Sequence, residues 1–302
     1  MRELLTLSAA YEKNFYSQDG EDGVIAAICS ALDIEKGTAV EFGAADGIKF
    51  SNTAHLREQG WKTCLIEGDE QRFAALSARL ANDPSSVCVK AWVTTRGEMT
   101  IDALLARHFP GPIDLMSIDI DGDDYHIFAS LERRPRIILI EFNPTIPPVV
   151  NRVNPLNTQK GSSLLALTRL AAEKSYDLVH ATQINAFFID STRNDRIRPK
   201  TPLEAFRWDG GVAFVIRDYD GENWFAVGGR RAHKVTGWDG LRAAHLTAYP
   251  KFLLGYGRKP GRRRRFYRRF IRPLDFVSPL LRSFARQREK MHRLRASQRD
   301  AK

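Results

Sequence analysis

The chain has 302 residues and a mass of 34.2 kDa, enough for one large domain or two modest ones that fold without covalent staples. Its 43% hydrophobic and 27% charged content is ordinary for a globular chain, no apolar run nears the roughly 20 residues that cross a bilayer, and Cys29, Cys64 and Cys88 show neither zinc spacing nor a disulfide framework. The net charge of +10 is concentrated at one end: residues 258–302 hold 17 Lys+Arg against Asp275, Glu289 and Asp300, while residues 1–257 hold 29 basic and 33 acidic groups, which excludes a uniformly basic nucleic-acid-binding body.

Residues 19–32 read as a helix with Asp19 as N-cap and Val24, Ile25, Ile28 and Leu32 on one face. Residues 38–42 form a short apolar strand that ends in the small-residue turn Gly43-Ala44-Ala45-Asp46-Gly47, and a helix follows over 51–58. A strand over 62–66 ends at Glu67, a helix covers 70–80, and a third strand covers 87–89. A helix over 101–108, a strand over 113–120 and a strand over 136–142 continue the pattern. Such alternation, with strands that read as continuous apolar runs, predicts an α/β fold with a doubly wound, mostly parallel sheet. Residues 143–161, rich in Asn and Pro, predict a long loop. A helix over 162–174 and strands over 176–180 and 186–189 predict an antiparallel ending to the sheet, with one more strand over 211–216. The expected organisation is one domain over 1–217, an extension over 218–257 rich in Gly and aromatics that shows no clear periodicity, and a basic, partly helical tail over 258–302.

The turn after the first strand carries the first functional signal. Small residues at a strand end let backbone approach a ligand and aim helix N-terminal amides at it. The dinucleotide fingerprint G-x-G-x-x-G is absent. The run Glu41-Phe42-Gly43-Ala44-Ala45-Asp46-Gly47 instead matches the acid-x-Gly-x-Gly-x-Gly-like motif of S-adenosylmethionine (SAM) binders, with Ala45 in place of the middle glycine. Glu67, at the end of the next strand, can accept both hydroxyls of a nucleoside ribose. The alternative is a tight turn beside an ordinary exposed glutamate.

The second signal is the acid cluster Asp119-Ile120-Asp121-Gly122-Asp123-Asp124. Strand alternation places Asp119 and Asp121 on one face, and the fourth strand belongs beside the first, at the switch-point crevice. Crowded carboxylates require a proton, a donor or a cation. One reading gives Asp119 or Asp121 a substrate hydroxyl or the cofactor's amino group. Another gives Asp121 and Asp123 a hard ion such as Mg²⁺. In the plainest reading Asp123 or Asp124 caps the next helix, which opens at Tyr125. His126 follows in its first turn, either as general base or as an ordinary surface histidine. Glu141 and Asn143, at the end of the fifth strand, face the crevice and are candidates to orient a substrate.

Several of these segments together resemble the FkbM-type SAM-dependent methyltransferases: Tyr16-Ser17-Gln18-Asp19-Gly20-Glu21-Asp22, residues 40–53, residues 60–67, Asp119-Ile120-Asp121-Gly122, Glu141-Phe142-Asn143-Pro144, Gly161-Ser162-Ser163-Leu164 and Asn185-Ala186-Phe187-Phe188. The resemblance spans about residues 14–190. It implies a class I methyltransferase fold and SAM-dependent O-methylation, often of a sugar or glycan hydroxyl. By position it assigns Gly43, Ala45 and Glu67 to the cofactor and Asp119 and Asp121 to the active site. The stretch from Asp121 to Tyr125 also resembles the metal-binding run of macrocin-type sugar O-methyltransferases.

The tail interleaves arginines with aromatics over 258–270 and continues as a basic amphipathic helix after Ser278-Pro279. It fits an anionic membrane surface, fits nucleic acid less well, or forms a solvated or docked extension. The competing functions are therefore a nucleic-acid-associated protein and a catalytically silent, membrane-tethered scaffold. With no apolar leader at the N-terminus, a cytoplasmic location is expected, with the inner face of a membrane as a further site.

Overall fold

The computed structural model describes residues 3–208 and, beyond them, the backbone of three short strands. Elements alternate as α1 (Glu21–Ala31), β1 (Thr38–Phe42), α2 (Ala54–Glu58), β2 (Lys62–Glu67), α3 (Glu70–Arg79), β3 (Ser86–Lys90), α4 (Ile101–His108), β4 (Leu115–Ile118), α5 (Asp124–Ser130) and β5 (Ile137–Glu141). The chain then adds α6 (Leu164–Glu173), β6 (Tyr176–Ala181), β7 (Asn185–Asp190) and the single turn α7 (Pro202–Ala205). The strands form one seven-stranded sheet in the order β3-β2-β1-β4-β5-β7-β6. β1 to β5 run parallel, and β7 lies antiparallel to both β5 and β6. The fold is the doubly wound α/β architecture expected. Helical crossovers return the chain to the same end of the sheet for each of β1 to β5, while the few residues between β6 and β7 permit only a hairpin.

Winding proceeds outward from β1 through β2 to β3, then restarts from β4 on the other side of β1. The switch point therefore falls between β1 and β4, which are paired from Ala39–Leu115 to Phe42–Ile118. Ile137, Ile138, Leu139 and Ile140 of β5 are wholly buried because both faces of the sheet are covered. On one face, Ala39, Leu115, Ile137, Leu139, Phe187 and Ile189 form a single core with Val24, Ile25 and Ile28 of α1. Burying each such large side chain contributes about 1.5–3 kcal/mol. The same face turns polar at its C-terminal end. Glu41 and Ser117 are register partners, as are Ser117 and Leu139, and Glu141 stands opposite Asn185.

Local boundaries differ from expectation at functional points. Asp19 does not cap α1: the cap is Gly20, with φ of 100° and no side-chain hydrogen bond. β4 stops at Ile118, and Asp121 adopts φ of 59°, so strand alternation is not what brings Asp119 and Asp121 together.

The chain divides into two units between Arg207 and Trp208, ahead of the expected boundary at 217. In the second unit, β8 (Ala213–Arg217), β9 (Asn223–Val227) and β10 (His233–Val235) form an antiparallel sheet in the order β10-β9-β8. The strand expected over 211–216 is β8 of that sheet, and the extension over 218–257 contributes β9 and β10. The basic tail lies outside the described residues. Among the described residues, no helix is long and apolar enough to cross a membrane.

Two positions in the bend after β1 should respond oppositely to substitution. A Cβ on Gly43 (φ 75°) would lie 1.8 Å from the Asp119 carbonyl oxygen. Gly43→Ala is expected to lower unfolding free energy by about 3 kcal/mol or to prevent folding. Ala45 already sits at φ of 47°, so Ala45→Gly should raise stability by about 1 kcal/mol. Urea denaturation of both variants checks the pair.

Candidate functional site

The bend is tied to β2. The amides of Gly43 and Ala44 both donate to the Ile66 carbonyl, at 3.1 and 3.3 Å, and Gly47 closes the turn by donating to Ala44 at 2.8 Å. A Cβ on Gly47 would press within 2.6 Å of Leu76 Cδ1 on α3. Glu67 points into this bend. Its Oε2 accepts the Ala45 amide and its Oε1 the Asp69 amide, both at 2.8 Å, and the residue is 4% exposed. The carboxylate thus links the first bend to the start of α3, while each oxygen keeps a further acceptor direction. Asp46 builds the turn itself. Its Oδ1 accepts the amides of Ile48 (3.1 Å) and Lys49 (2.9 Å), its Oδ2 lies 3.5 Å from Arg79, and these partners, the Lys49 amide foremost, hold its carboxyl below the usual range.

Glu41 is directed elsewhere. Its carboxylate is buried and receives the Ser51 hydroxyl (2.7 Å), the Asn52 amide (2.7 Å) and the Thr53 hydroxyl. It clamps the segment that opens α2, which is a different position from the cofactor contact expected of it. Sequence reading missed Trp92. Its indole is 72% exposed and lies over Gly68, where a Cβ would meet the ring at 2.3 Å. A large exposed aromatic just past the end of β3, beside a glycine that follows Glu67, was the available signal.

Across the switch point, carboxylate oxygens of Asp119, Asp121 and Glu141 all lie within 4.8 Å of one another. Asp121 (φ 59°) and Gly122 (φ 155°) turn the chain sharply out of β4, and a Cβ on Gly122 would strike the Thr158 carbonyl at 2.4 Å. Buried Asp124 reaches back to accept the amides of Ile120 (2.9 Å) and Gly122 (3.0 Å), fixing this turn. Burial pushes its pKa up to about 6. Asp119 is pushed well above the carboxylate range by burial first and then by the charges of Asp124 and Asp121. Asp123 does not join the group, because its Oδ1 accepts the Asn157 amide at 2.8 Å. The expected pairing of Asp121 with Asp123 is therefore replaced by Asp121 with Asp119 and Glu141.

Residues 143–161 fold over this end of the sheet, and two predicted site residues serve that loop. His126 Nε2 lies 2.7 Å from the Asn154 carbonyl, which makes the nitrogen a donor and a pin for the loop. Asn143 Oδ1 accepts from the Thr145 amide (2.9 Å) and hydroxyl (2.6 Å), and its Nδ2 donates to the Lys160 carbonyl. Neither side chain joins the carboxylate group. The organising residue is Asn154, 1% exposed, which donates to the carbonyls of Gly122 (2.9 Å) and Thr158 (2.7 Å) and accepts the Thr158 hydroxyl (2.7 Å). Its partners lie up to 32 residues away, so nothing local marks it.

The segment leading into α1 is tied through Glu21 to the β6–β7 turn and the start of β7. Asp22 Oδ2 gathers the amides of Phe15 (2.8 Å), Tyr16 (2.8 Å) and Ser17 (2.9 Å) into a tight loop. Fully buried Glu21 accepts the Thr182 hydroxyl (2.6 Å) and Asn185 Nδ2 (3.1 Å) through one oxygen and the Asp19 amide (2.7 Å) through the other. Asp19 Oδ2 is buried without a partner, and burial, with the charges of Glu21 and Glu12, raises this carboxyl to about 6.

No family model and no curated protein matches the sequence. Among solved structures, the glycopeptide N-methyltransferase MtfA with S-adenosylhomocysteine is 12% identical over 59% of this chain and 92% of its own, at a TM-score of 0.36. The N-terminal domain of EvdMO1 with S-adenosylhomocysteine bound is 14% identical over 61% and 83%, at 0.38. A TehB-like SAM-dependent methyltransferase from Corynebacterium glutamicum is 14% identical over 60% and 91%, also at 0.38.

Asn154→Ala should lower stability by about 3 kcal/mol, since it orphans several buried groups at once, and should open residues 143–161 to limited proteolysis. For Asp19 the native fold favours the protonated form. Its contribution is complete below about pH 4 and is lost as pH rises through about 6. Asp19→Asn keeps the neutral shape, so it should be neutral at pH 4 and stabilising by about 1 kcal/mol at pH 8, measured as the difference between variant and parent in thermal unfolding.

Proposed function

We propose that residues 3–208 form a SAM-dependent O-methyltransferase of the FkbM type, acting on a sugar or glycan hydroxyl. The observation that carries this reading is Glu67, held against the Gly43–Gly47 bend by the Ala45 amide at 2.8 Å, with acceptor capacity left for two vicinal hydroxyls. The surroundings fit a nucleoside-bearing donor. Trp92 offers an aromatic face beside Gly68 for a planar base.

When bound, SAM supplies an electrophilic methyl on a sulfonium. The chain's residues then have three tasks. Glu67 and the bend fix the nucleoside end and so set where the methyl stands. The loop of residues 143–161, pinned by Asn154 and His126, covers the acceptor end and excludes water. The group formed by Asp119, Asp121 and Glu141 holds the acceptor hydroxyl and receives its proton as oxygen attacks the methyl carbon in line and the carbon–sulfur pair leaves with sulfur. Positioning two bound reactants in this way supplies much of the acceleration. The membrane-surface and nucleic-acid expectations rest on residues 258–302, outside the described residues.

Calorimetric titration of the full chain with SAM and with S-adenosylhomocysteine tests the reading. Binding of at least one is expected, weakened about 10- to 100-fold in Glu67→Gln, the equivalent of the roughly 1.5–3 kcal/mol of a charge-assisted hydrogen bond. Absence of heat with both ligands on folded protein rejects the methyl-donor site.

A further inference from the structure

We propose that the C-terminal ends of β4 and β5 form a binding site for a hard divalent cation, with Asp119, Asp121 and Glu141 as carboxylate ligands and the Asn185 side-chain carbonyl as a fourth oxygen. The proposal deepens the reading of this crevice as the acceptor end of a methyl-transfer site, yet cation binding stands or falls without any methyl donor.

Three observations lead to it. First, the three carboxylate oxygens lie within 4.8 Å of one another, and one ion with ligand distances of about 2.0–2.6 Å spans such a triangle with little movement. The ligands come from two strand ends, and the turn that presents Asp121 is fixed from outside the cluster by Asp124 and by the close packing of Gly122 on Thr158.

Second, the polar groups left over on this face are acceptors. Asn185 is 3% exposed and stands directly opposite Glu141 in the β5–β7 register, so the two side chains leave the sheet on the same side. Its Nδ2 is fixed on Glu21 at 3.1 Å, which settles the amide orientation, and its Oδ1 is buried with no hydrogen-bond partner. Asn52 repeats the pattern. It is 3% exposed, its Nδ2 donates at 3.0 Å to Ser117 on β4, and its Oδ1 is likewise buried and unpartnered. An unpaired buried carbonyl is unfavourable, and two on the face that carries the clustered carboxylates mark a place built for something positive.

Third, the ligand types select the ion. All are hard oxygens, with no sulfur and no imidazole, which suits Mg²⁺, Ca²⁺ or Mn²⁺ rather than zinc or copper. In a methyl transfer such an ion would lower the pKa of the acceptor hydroxyl. Asp123, turned onto the Asn157 amide, lies outside the set.

The test is calorimetric titration of the full chain with MgCl₂, CaCl₂ and MnCl₂ separately, with thermal unfolding in parallel. At least one ion should bind at a single site with a Kd between about 10 μM and 1 mM and raise the unfolding temperature. Asp121→Asn and Glu141→Gln should each weaken binding at least about tenfold, whereas Asp123→Asn should leave it unchanged. Asp121→Asn is the decisive variant, because asparagine tolerates the φ of 59° at this position and the fold is retained. No heat with any of the three salts up to about 10 mM, or equal affinity in Asp121→Asn and Glu141→Gln, overturns the site. Loss in Asp123→Asn as deep as in Asp121→Asn overturns the ligand set. Titrating S-adenosylhomocysteine into the same samples separates the two proposals: nucleoside binding without cation binding removes only the cation site, and cation binding without nucleoside binding removes only the methyl-donor reading.

Discussion

The passage of Gly43 beneath the Asp119 carbonyl sets the geometry of everything near the switch point. The backbones approach so closely there that a single added methyl would sit 1.8 Å from that oxygen. This contact fixes the distance between the bend that follows β1 and the turn that follows β4. One of these elements carries the amides around Glu67, the other the carboxylates of Asp119 and Asp121. Two chemically different ends of one crevice are thereby held in register by a position that only glycine can occupy.

Negative charge at this crevice is distributed by role. Glu41, Asp46 and Asp124 are covered by backbone amides or hydroxyls and serve as internal clamps. Each replaces solvent with fixed donors, the condition under which a carboxylate can be buried. Asp119, Asp121 and Glu141 are instead brought near one another, and Asp19 and Asp22 each keep one buried oxygen unsatisfied. The contrast is between carboxylates that hold the backbone in place and carboxylates that are crowded against one another.

The loop of residues 143–161 adds a second layer of control. Asn154 joins it to the β4 turn through Gly122 and to α5 through His126, and Ser163 both caps α6 and accepts the Arg152 amide at 3.0 Å. A roof secured at several points suits the exclusion of water that the proposed methyl transfer requires.

The sequence by itself determined the strand order class, the bend at Gly43–Gly47, the place of Glu67 and the crowding of acids after β4, because each follows from local periodicity, glycine chemistry or chain order. It also marked Glu141 as facing the crevice. The division of labour among the acids was decided only by tertiary structure. Glu41 became a clamp because α2 starts within its reach, Asp123 was drawn off by Asn157, and His126 and Asn143 were taken up by a loop whose course no periodic signal encodes. The meeting of Glu141 and Asn185 depends on the β5–β7 register, a pairing between segments some forty residues apart. Sequence patterns report which face a residue takes along its own element. Which partner then reaches it is a property of packing between distant elements.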